Sequence, residues 1–204
     1  MLYPLPAVMV SCGREGEKPN IITVAWAGTI CSDPAMVSIS VRPNRYSYDI
    51  IRETGEFVIN LTTKKLVKAT DYCGVRSGRD VDKFAGFAWA RDINGVPYVT
   101  EQCAARFACT VVNEVDLGTH ILFVARVDDW AVLDDVPQMT YDYYHAVKKG
   151  LTPPKASSYR PPEEKVTGWR CTVCGYIYEG EALPANYKCP ICGQGAEVFE
   201  KITG

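Results

Sequence analysis

The 204-residue sequence lacks the marks of membrane proteins and of general nucleic-acid binders. No run of about 18 apolar residues is present, so we expect no transmembrane helix. The 22 Lys and Arg residues are balanced by 24 Asp and Glu, which argues against a nucleic-acid partner. The first twenty residues contain no basic n-region and no A-x-A-like cleavage site. We therefore expect no signal peptide and a cytoplasmic protein.

Signatures of common nucleotide sites and of nucleophilic catalysis are also missing. The sequence contains neither GxGxxG nor GxxxxGK[ST], so no Rossmann or P-loop site is predicted. Only two histidines occur, His120 and His145, and we interpret both as structural or surface groups. No Ser-His-Asp-like set can be placed. We therefore assign no side chain as a catalytic acid, base or nucleophile.

Cysteine, in contrast, is abundant, with nine residues. The odd number argues against a fully paired disulfide framework, and a reducing compartment is expected. The first five are scattered through apolar or mixed segments and are mostly interpreted as small buried hydrophobes. The last four form two CxxC pairs with metal-ligand spacing: Cys171, Cys174, Cys189 and Cys192.

A proline-rich segment divides the sequence. Residues 151–168, LTPPKASSYRPPEEKVTG, contain four prolines and few apolar groups, which predicts a linker. Residues 1–150 are then one domain and residues 169–204 a second. A domain of about 36 residues cannot build a sufficient core, so its cysteines are expected to hold a metal that stabilises it.

The first domain is rich in strand patterns. Alternation predicts strands at 37–41, 57–61 and 121–127, with further candidates at 105–112 and 130–133. Short helices are predicted at 44–54, 63–72, 80–84 and 140–149, and Gly55 and Gly74 are expected to end the first two. Many short strands with few helices favour a mainly β fold, a barrel or a sandwich.

In the tail, a glycine follows each CxxC pair. Gly175 and Gly193 can adopt positive φ, which lets backbone N–H groups point at the cysteine sulfurs. Two such knuckles that face each other form a tetrahedral site of four sulfurs. This geometry suits zinc or a single iron, and the spacing does not choose between them.

The flanking residues resemble a rubredoxin. W-x-C-x-x-C-G-Y-I-Y opens the segment and C-P-x-C-G closes it, and Trp169, Tyr176, Tyr178 and Phe199 would form the aromatic core. Only 14 residues separate Cys174 from Cys189. This shortened form is similar to the rubredoxin-like modules attached to larger proteins such as rubrerythrins. The resemblance implies one iron held by four cysteines, with a zinc ribbon as the alternative.

In the first domain, small and hydroxyl residues cluster beside alternating strands. They lie in NIITVAWAGTICSDP, residues 20–34, and SISVRPNRYSY, residues 38–48, with Arg42 and Arg45 nearby. Hydroxyls and a guanidinium at strand ends can bind a phosphate, and small side chains leave room for a flat ring. Alternatively, Ser38 and Ser40 are only the solvated face of a half-buried strand.

These segments, with GEFVINL, CGxxSGxxxDKF and KGLTPPKA, resemble the flavin reductase domain over about residues 1–155. The resemblance implies an FMN-binding split β-barrel of Greek-key type with short peripheral helices, and a homodimer with FMN near the subunit interface. The resemblance implies that six residues lie along the flavin, namely Asn20, Thr23, Ala25, Trp26, Thr29 and Cys31. It implies that four reach the ribityl chain and phosphate, namely Ser40, Arg42, Tyr46 and Ser47. Lys83 is a candidate for the phosphate or the ring edge. A core position remains an equal alternative for Cys31.

A flavin reductase domain followed by a rubredoxin resembles the high-molecular-weight rubredoxins. That resemblance implies electron flow from NAD(P)H through FMN to the iron and on to a flavodiiron oxygen or nitric oxide reductase. Flavin accepts a hydride and releases single electrons, so it suits this conversion. The linker could let the rubredoxin move between acceptors. Residues 161–204 carry six acidic and four basic residues, a formal −2, which favours a partner with a basic face.

Two alternatives stay open. The protein could be a ferric or free-flavin reductase whose rubredoxin serves as an internal relay. It could also be an FMN-binding protein in which a structural zinc ribbon mediates partner binding. The sequence does not distinguish NADH from NADPH, and FMN rather than FAD depends on the resemblance.

Overall fold

A computed structural model describes residues 5–148, 168–173 and 176–202. The chain forms two compact units, Met1–Arg160 and Pro161–Gly204. Among the described residues, no helix has both the length and the apolar character needed to cross a membrane. The predicted linker at 151–168 lies outside the described residues except for Gly168, which begins a strand.

Seven antiparallel strands form the main sheet of the first unit. They are β1 (Val8–Cys12), β2 (Asn20–Val24), β3 (Ala27–Ser32), β4 (Ala35–Val41), β5 (Glu56–Thr62), β8 (Cys103–Asp116) and β9 (Ile121–Val132), in the order β2-β1-β5-β8-β9-β4-β3. A short hairpin of β6 (Trp89–Arg91) and β7 (Pro97–Val99) packs nearby. The mainly β fold predicted from the strand patterns is confirmed.

The sheet curls into a barrel because the strands at its two edges, β2 and β3, are consecutive in sequence. Only Ala25 and Trp26 separate β2 from β3, although these strands stand at opposite ends of the sheet order. The Ser40 N–H of β4 donates to the Trp26 carbonyl at 2.9 Å. The two sheet edges therefore meet at the Ala25–Trp26 corner.

Strand alternation divides the core into two faces. Side chains such as Val8, Val10, Phe57 and Phe123 fill the barrel interior. Their neighbours on the opposite face, including Met9 and Ile21, pack against Leu66, Cys73, Phe84, Val99 and Cys103. One strand pair thus supports both the barrel and the layer that covers it.

Three helices flank the barrel: α1 (Tyr46–Thr54), α2 (Val67–Val75) and α3 (Tyr141–Lys148). Gly55 ends α1 with φ +71°, as predicted. The expected end of the second helix at Gly74 is wrong, because Gly74 lies within α2 and Lys64–Leu66 form a separate 3₁₀ turn. The helix predicted at 80–84 is also wrong. This segment forms turns that bring Lys83 and Phe84 into buried positions.

The candidate strands at 105–112 and 130–133 belong to longer elements. Strands β8 and β9 pair over most of their length, with register shifts at Ala108/Cys109 and Val111/Asn113. Each shift interrupts strict alternation, which is why the sequence suggested shorter pieces. The hairpin turn carries Gly118 with φ +88° and places His120 at the start of β9.

The second unit contains a three-stranded sheet of β10 (Gly168–Cys171), β11 (Ile177–Tyr178) and β12 (Phe199–Ile202), in the order β11-β10-β12. Its small core combines cysteines and aromatic rings, and all four predicted aromatic residues belong to it: Trp169, Tyr176, Tyr178 and Phe199. Tyr187 adds a fifth ring, 4.6 Å from Tyr178 and 5.5 Å from Phe199 between centroids.

Candidate functional site

A cationic cleft lies beside the start of α1. Its volume is about 60 Å³, and it is lined by Asn20, Ile22, Asn44, Arg45, Tyr46, Ser47, Arg76, Ser77, Gly78 and Lys83. This is the volume open to the centres of water-sized groups, of which one water needs about 10–15 Å³. The cleft therefore has room for roughly four oxygen-sized groups. Its lining includes three cations and no carboxylate. The cleft therefore suits a phosphate-sized anion.

Gly78 keeps the cleft open. A Cβ on this residue would lie 2.0 Å from the Asn20 Oδ1 atom and 3.1 Å from the Tyr46 ring. Asn20 is buried and donates to the Ser47 hydroxyl at 2.8 Å, so it cannot easily move aside. The bare backbone at position 78 leaves this wall of the cleft to hydrogen-bonding groups rather than to a side chain.

Two helix ends face the cations of the cleft. No side chain caps the N-terminus of α1, where the first backbone N–H groups have no intrahelical partner and favour anions. At the C-terminal end of α2, Lys83 donates to the Cys73 carbonyl at 2.9 Å and Arg45 to the Gly74 carbonyl. The negative end of α2 thus holds the two cations in place, and the positive end of α1 adds to their attraction for an anion.

Lys83 is the most deeply buried of these cations, with an exposed fraction of 5%. Its Nζ also donates to the Ile21 carbonyl at 2.8 Å. An ammonium has three donors, so two bonds to backbone carbonyls leave a third for a ligand. Burial lowers the pKa of Lys83 to about 8, partly opposed by Cys73 and assisted by Arg45. A bound anion would restore its charged form.

A second polar cluster lies at the barrel corner. The Trp26 and His120 rings are 4.6 Å apart between centroids, and His120 Nδ1 shares a hydrogen bond of 2.9 Å with the Thr119 hydroxyl. Burial, and then the charge of Arg42, lower the pKa of His120. The charge of Arg42 also contributes, after burial, to lowering the pKa of Arg45. The charge of Arg42 therefore acts on a residue of the corner and on a residue of the cleft.

Arg42 also carries a buried Nε with no hydrogen-bond partner. A buried guanidinium nitrogen without a partner is costly unless a ligand or water completes it. A ligand or water that accepts from this atom would remove that cost. The cationic cleft and this unpartnered donor fit a phosphate-bearing flavin.

The structure divides the residues predicted from the sequence into three groups. Asn20, Tyr46, Ser47 and Lys83 line the cleft. The corner and its adjoining edge strands hold Trp26, Thr29, Cys31, Ser40 and Arg42, all exposed or partly exposed. Thr23 instead donates to the Thr70 carbonyl of α2, and Ala25 packs against Tyr141 and Tyr144. The side chains of Thr23 and Ala25 therefore contact the neighbouring helices and do not line the cleft.

The sequence did not predict Arg76, Ser77 and Gly78 as cleft residues, and it offered Arg45 only as a nearby guanidinium for a phosphate. His120, interpreted as a structural or surface group, is buried with its ring beside that of Trp26. The CGVRSGRDVDK segment did contain a signal, because a basic residue, a hydroxyl and a glycine adjoin one another there. Their approach to Asn20 depends on long-range contacts that no local pattern shows.

The second unit brings cysteine sulfurs together. The Sγ atoms of Cys171, Cys189 and Cys192 lie within 4.8 Å of one another, and those of Cys171 and Cys192 are 3.7 Å apart. A tetrahedron with metal–sulfur bonds of about 2.3 Å has edges of ~3.8 Å, whereas a disulfide requires about 2.05 Å. The spacing therefore fits metal ligands. Cys174, the predicted fourth ligand, lies outside the described residues.

The backbone around these cysteines has the expected knuckle form. Gly193 has φ +73°, as predicted, and its N–H donates to the Cys189 carbonyl at 2.9 Å. The Cys189 N–H donates to the Gln194 carbonyl, and that of Cys171 to the Tyr176 carbonyl, both at 2.8 Å. These bonds fix the loops that carry the sulfurs. The prediction for Gly175 lies outside the described residues.

Fold and sites together define a flavin-binding type of split barrel joined to a rubredoxin-like metal module. Residues 1–151 match the flavin reductase like domain, and residues 169–200 match the rubredoxin-like domain of rubrerythrin. The chain therefore belongs to the flavin reductase-like family, with a rubredoxin-like domain at its C-terminal side. Both resemblances predicted from the sequence are confirmed.

Relatives share one or both domains. The high molecular weight rubredoxin of Moorella thermoacetica is 33% identical and aligns over 93% of this chain and 92% of its own length. A ferric-chelate reductase (NAD(P)H) of Archaeoglobus fulgidus is 32% identical over 64% of this chain and 78% of its own. The crystal structure of flavoredoxin from Methanosarcina acetivorans superposes with a TM-score of 0.61 at 28% identity, covering 65% of this chain and 70% of that one. The chain is thus a homologue of a high molecular weight rubredoxin.

Proposed function

We propose that this protein passes electrons from NAD(P)H through FMN to a four-cysteine iron, and from there to an external acceptor protein. The observation that carries the proposal is the presence, in one chain, of a phosphate-sized cationic cleft and a cluster of three cysteine sulfurs at metal-ligand spacing. The alignment with the high molecular weight rubredoxin over 93% of the chain supports this combination.

The residues of the first unit would each hold a different part of FMN. Arg45, Arg76 and Lys83, with the N-terminus of α1, would bind the phosphate, and Ser47 would donate its hydroxyl hydrogen. The unpartnered Nε of Arg42 would donate toward the chain between phosphate and ring. Trp26 would border the ring. The cleft accommodates a single phosphate, and we propose FMN rather than FAD from the family resemblance.

In the second unit, Cys171, Cys189 and Cys192, with Cys174, would hold the iron. When bound, FMN supplies acceptance of a hydride and release of single electrons, and a four-sulfur iron supplies one-electron exchange. In the two knuckles the Cys171, Cys189 and Gly193 N–H groups donate to carbonyls, and these bonds would hold the sulfurs in place around the metal. On this proposal no side chain is needed as an acid or base.

The surface beside the metal cluster supports transfer to a partner protein. Val173 and Ile191 each stand immediately before the second cysteine of a CxxC pair and are exposed by 59% and 71%. Exposed apolar side chains next to a redox centre favour close, short-lived docking. We propose a flavodiiron oxygen or nitric oxide reductase with a basic docking face as the acceptor.

A homodimer and a cytoplasmic location are parts of the same proposal. The barrel surface exposes apolar side chains on β3 and β9, Ile30 by 49%, Trp130 by 63% and Val132 by 64%. Such side chains suit burial against a second copy. Sedimentation of the purified protein at micromolar concentration tests the dimer, and a monomer would contradict it.

The first experiment is anaerobic visible spectroscopy of the purified protein, with metal analysis, before and after NADH or NADPH. We expect about one iron and one FMN per chain, with flavin and ferric bands that both lose intensity after the nicotinamide. Flavin bleaching alone, together with zinc, would contradict the electron-transfer chain and support the structural zinc ribbon.

A second assay addresses the ferric or free-flavin reductase alternative. The Cys192→Ser variant is given NADH and either ferric citrate or a purified flavodiiron protein, and the rate at which NADH reduces its flavin is the internal control. Loss of flavodiiron turnover with unchanged flavin reduction supports the proposal. Full flavodiiron turnover in that variant would contradict the role of the iron.

A further inference from the structure

We propose that Lys83 is a site of covalent acylation by acyl phosphates. In this inference the cleft binds the phosphate end of the acyl phosphate, the Lys83 Nζ receives the acyl group, and the modified protein loses its affinity for phosphate-bearing ligands. The inference rests on the phosphate-binding role proposed above for the cleft.

The surroundings of Lys83 restrict how a reagent can reach it. The residue is 5% exposed and lines the cleft, so a reagent approaches its amine through the cleft. Two backbone carbonyls, of Ile21 and Cys73, accept from Nζ at 2.8 and 2.9 Å. A neutral amine has two hydrogens and one lone pair. With both hydrogens bonded to carbonyls, the lone pair remains for the cleft.

The phosphate group brings the carbonyl carbon to this amine. Arg45, Arg76 and the N-terminus of α1 would bind the phosphate oxygens of an acyl phosphate, and the acyl carbon is one bond beyond them. Holding the two reactants together converts a slow encounter into a reaction within one complex. Lys65, an exposed lysine of the Lys64–Leu66 turn, lies outside the cleft and serves as the comparison.

The reaction balances without another reactant. The neutral amine attacks the carbonyl carbon, a nitrogen–carbon bond forms, and the bond from carbon to the phosphate oxygen breaks. Phosphate leaves with the electron pair, and the amine proton passes to solvent. In the ligand-free protein the pKa of about 8 makes half of Lys83 neutral near pH 8, about 100-fold more than for an ordinary lysine. A bound phosphate group raises that pKa, so acyl transfer proceeds from the smaller share of complexes in which the amine is neutral, and the preference for Lys83 comes from proximity.

Acylation removes the positive charge of Lys83 from the cleft. An acetyl amide is uncharged, has one N–H, and places its methyl group where phosphate oxygens would lie. Since Arg45 and Arg76 remain, we expect FMN affinity to fall by at least about tenfold rather than to vanish. Bound FMN would in turn protect Lys83, so acylation would act on newly made or flavin-free protein.

The test uses flavin-free full-length protein treated with acetyl phosphate near pH 8, followed by peptide mass spectrometry. We expect acetylation of Lys83 at least about tenfold above Lys65, reduced by added inorganic phosphate and by FMN. Acetic anhydride, which transfers the same group without a phosphate, is the matched reagent. It should not favour Lys83 over Lys65 to the same extent.

Three results would overturn the inference: acetylation of Lys83 no greater than of Lys65, the same preference with acetic anhydride, or no protection by inorganic phosphate. Protection by inorganic phosphate but not by FMN would leave the acylation site standing and contradict the proposed FMN site. FMN binding without any Lys83 acetylation would contradict the acylation site and leave the proposed FMN site standing. Lys83→Gln and Lys83→Arg then compare the acetylated and charged forms, with weaker FMN binding expected for Gln only.

Discussion

The affinity for FMN should depend on pH through Lys83, because this lysine is buried beside the proposed phosphate site. The pKa of Lys83 is about 8 in the protein without a ligand. A bound phosphate dianion raises that pKa, so the complex keeps a proton that the free protein loses above pH 8. Affinity for FMN must therefore fall as the pH rises through this range.

The size of the effect follows from the protonated fraction. A lysine with a pKa of about 8 is ~90% charged near pH 7 and ~3% charged near pH 9.5. FMN affinity should fall by ~30-fold over this interval, or about 2 kcal/mol, if the bound phosphate keeps Lys83 charged throughout. The measurement is quenching of flavin fluorescence on titration with flavin-free protein at constant ionic strength.

Two controls separate Lys83 from other pH effects. Riboflavin lacks the phosphate, so its weaker binding should change little between pH 7 and pH 9.5. In Lys83→Arg the charge persists throughout, since an arginine stays protonated in this range, and FMN affinity should lose most of its pH dependence. Equal FMN affinity at both pH values in the unaltered protein would refute the reasoning, and so would an unchanged decline in Lys83→Arg.

The lowered pKa of Lys83 also predicts that the folding stability rises with pH, opposite to the trend expected for FMN affinity. Its pKa of about 8 in the folded protein lies below the ordinary value of 10.5, so between these pH values the unfolded chain binds more protons. The free energy of unfolding of the flavin-free protein should rise with pH in this window, by at most ~1.4 kcal/mol per unit. Urea unfolding near pH 8 and pH 10 checks this sign, and a fall attributable to Lys83, judged against Lys83→Arg, would contradict it.

Three further substitutions test other parts of the structure. Gly78→Ala places a methyl group inside the cleft and should weaken FMN binding at least about tenfold, whereas Gly86→Ala, where a Cβ meets nothing within 4 Å, should bind normally in the same titration. Cys192→Ser should lower the iron content measured by elemental analysis and increase protease cleavage of the second unit, and Cys31→Ser should do neither. Tyr144→Phe removes a hydroxyl that donates to the Asp71 carboxylate at 2.6 Å. The loss should cost about 1–3 kcal/mol of unfolding free energy, seen as a lower Tm, and an unchanged Tm would argue against that bond.

Local patterns carry the metal site because its chemistry is local. Two CxxC pairs, each followed by a glycine, nearly fix the position of their own sulfurs, and a segment this short needs a metal to fold. The same holds for the ends of simple elements. Gly55 ends α1 because only a glycine readily adopts φ +71° there.

Longer-range features were harder to predict. The helix expected at 80–84 is absent because turns in that segment satisfy Lys83 with carbonyls from β2 and α2. Register shifts within the β8–β9 pair interrupt the alternation of its residues, so the sequence predicted several short strands in place of one long hairpin. In each instance the deciding contact joins residues far apart in sequence.

The class of protein, the division into two domains and the cysteines expected to hold a metal could be predicted from the sequence, because each depends on residues close together along the chain. Which of the predicted flavin residues lie together depends on contacts between distant segments, and these appear in the folded chain. The fold places Asn20, Ser47 and Lys83 in one cleft with Arg76 and Gly78, and it places Trp26 beside His120 at the barrel corner. The physical reason is that an anion site needs several partial charges at one point. Here the curled sheet and the facing ends of α1 and α2 bring those charges together.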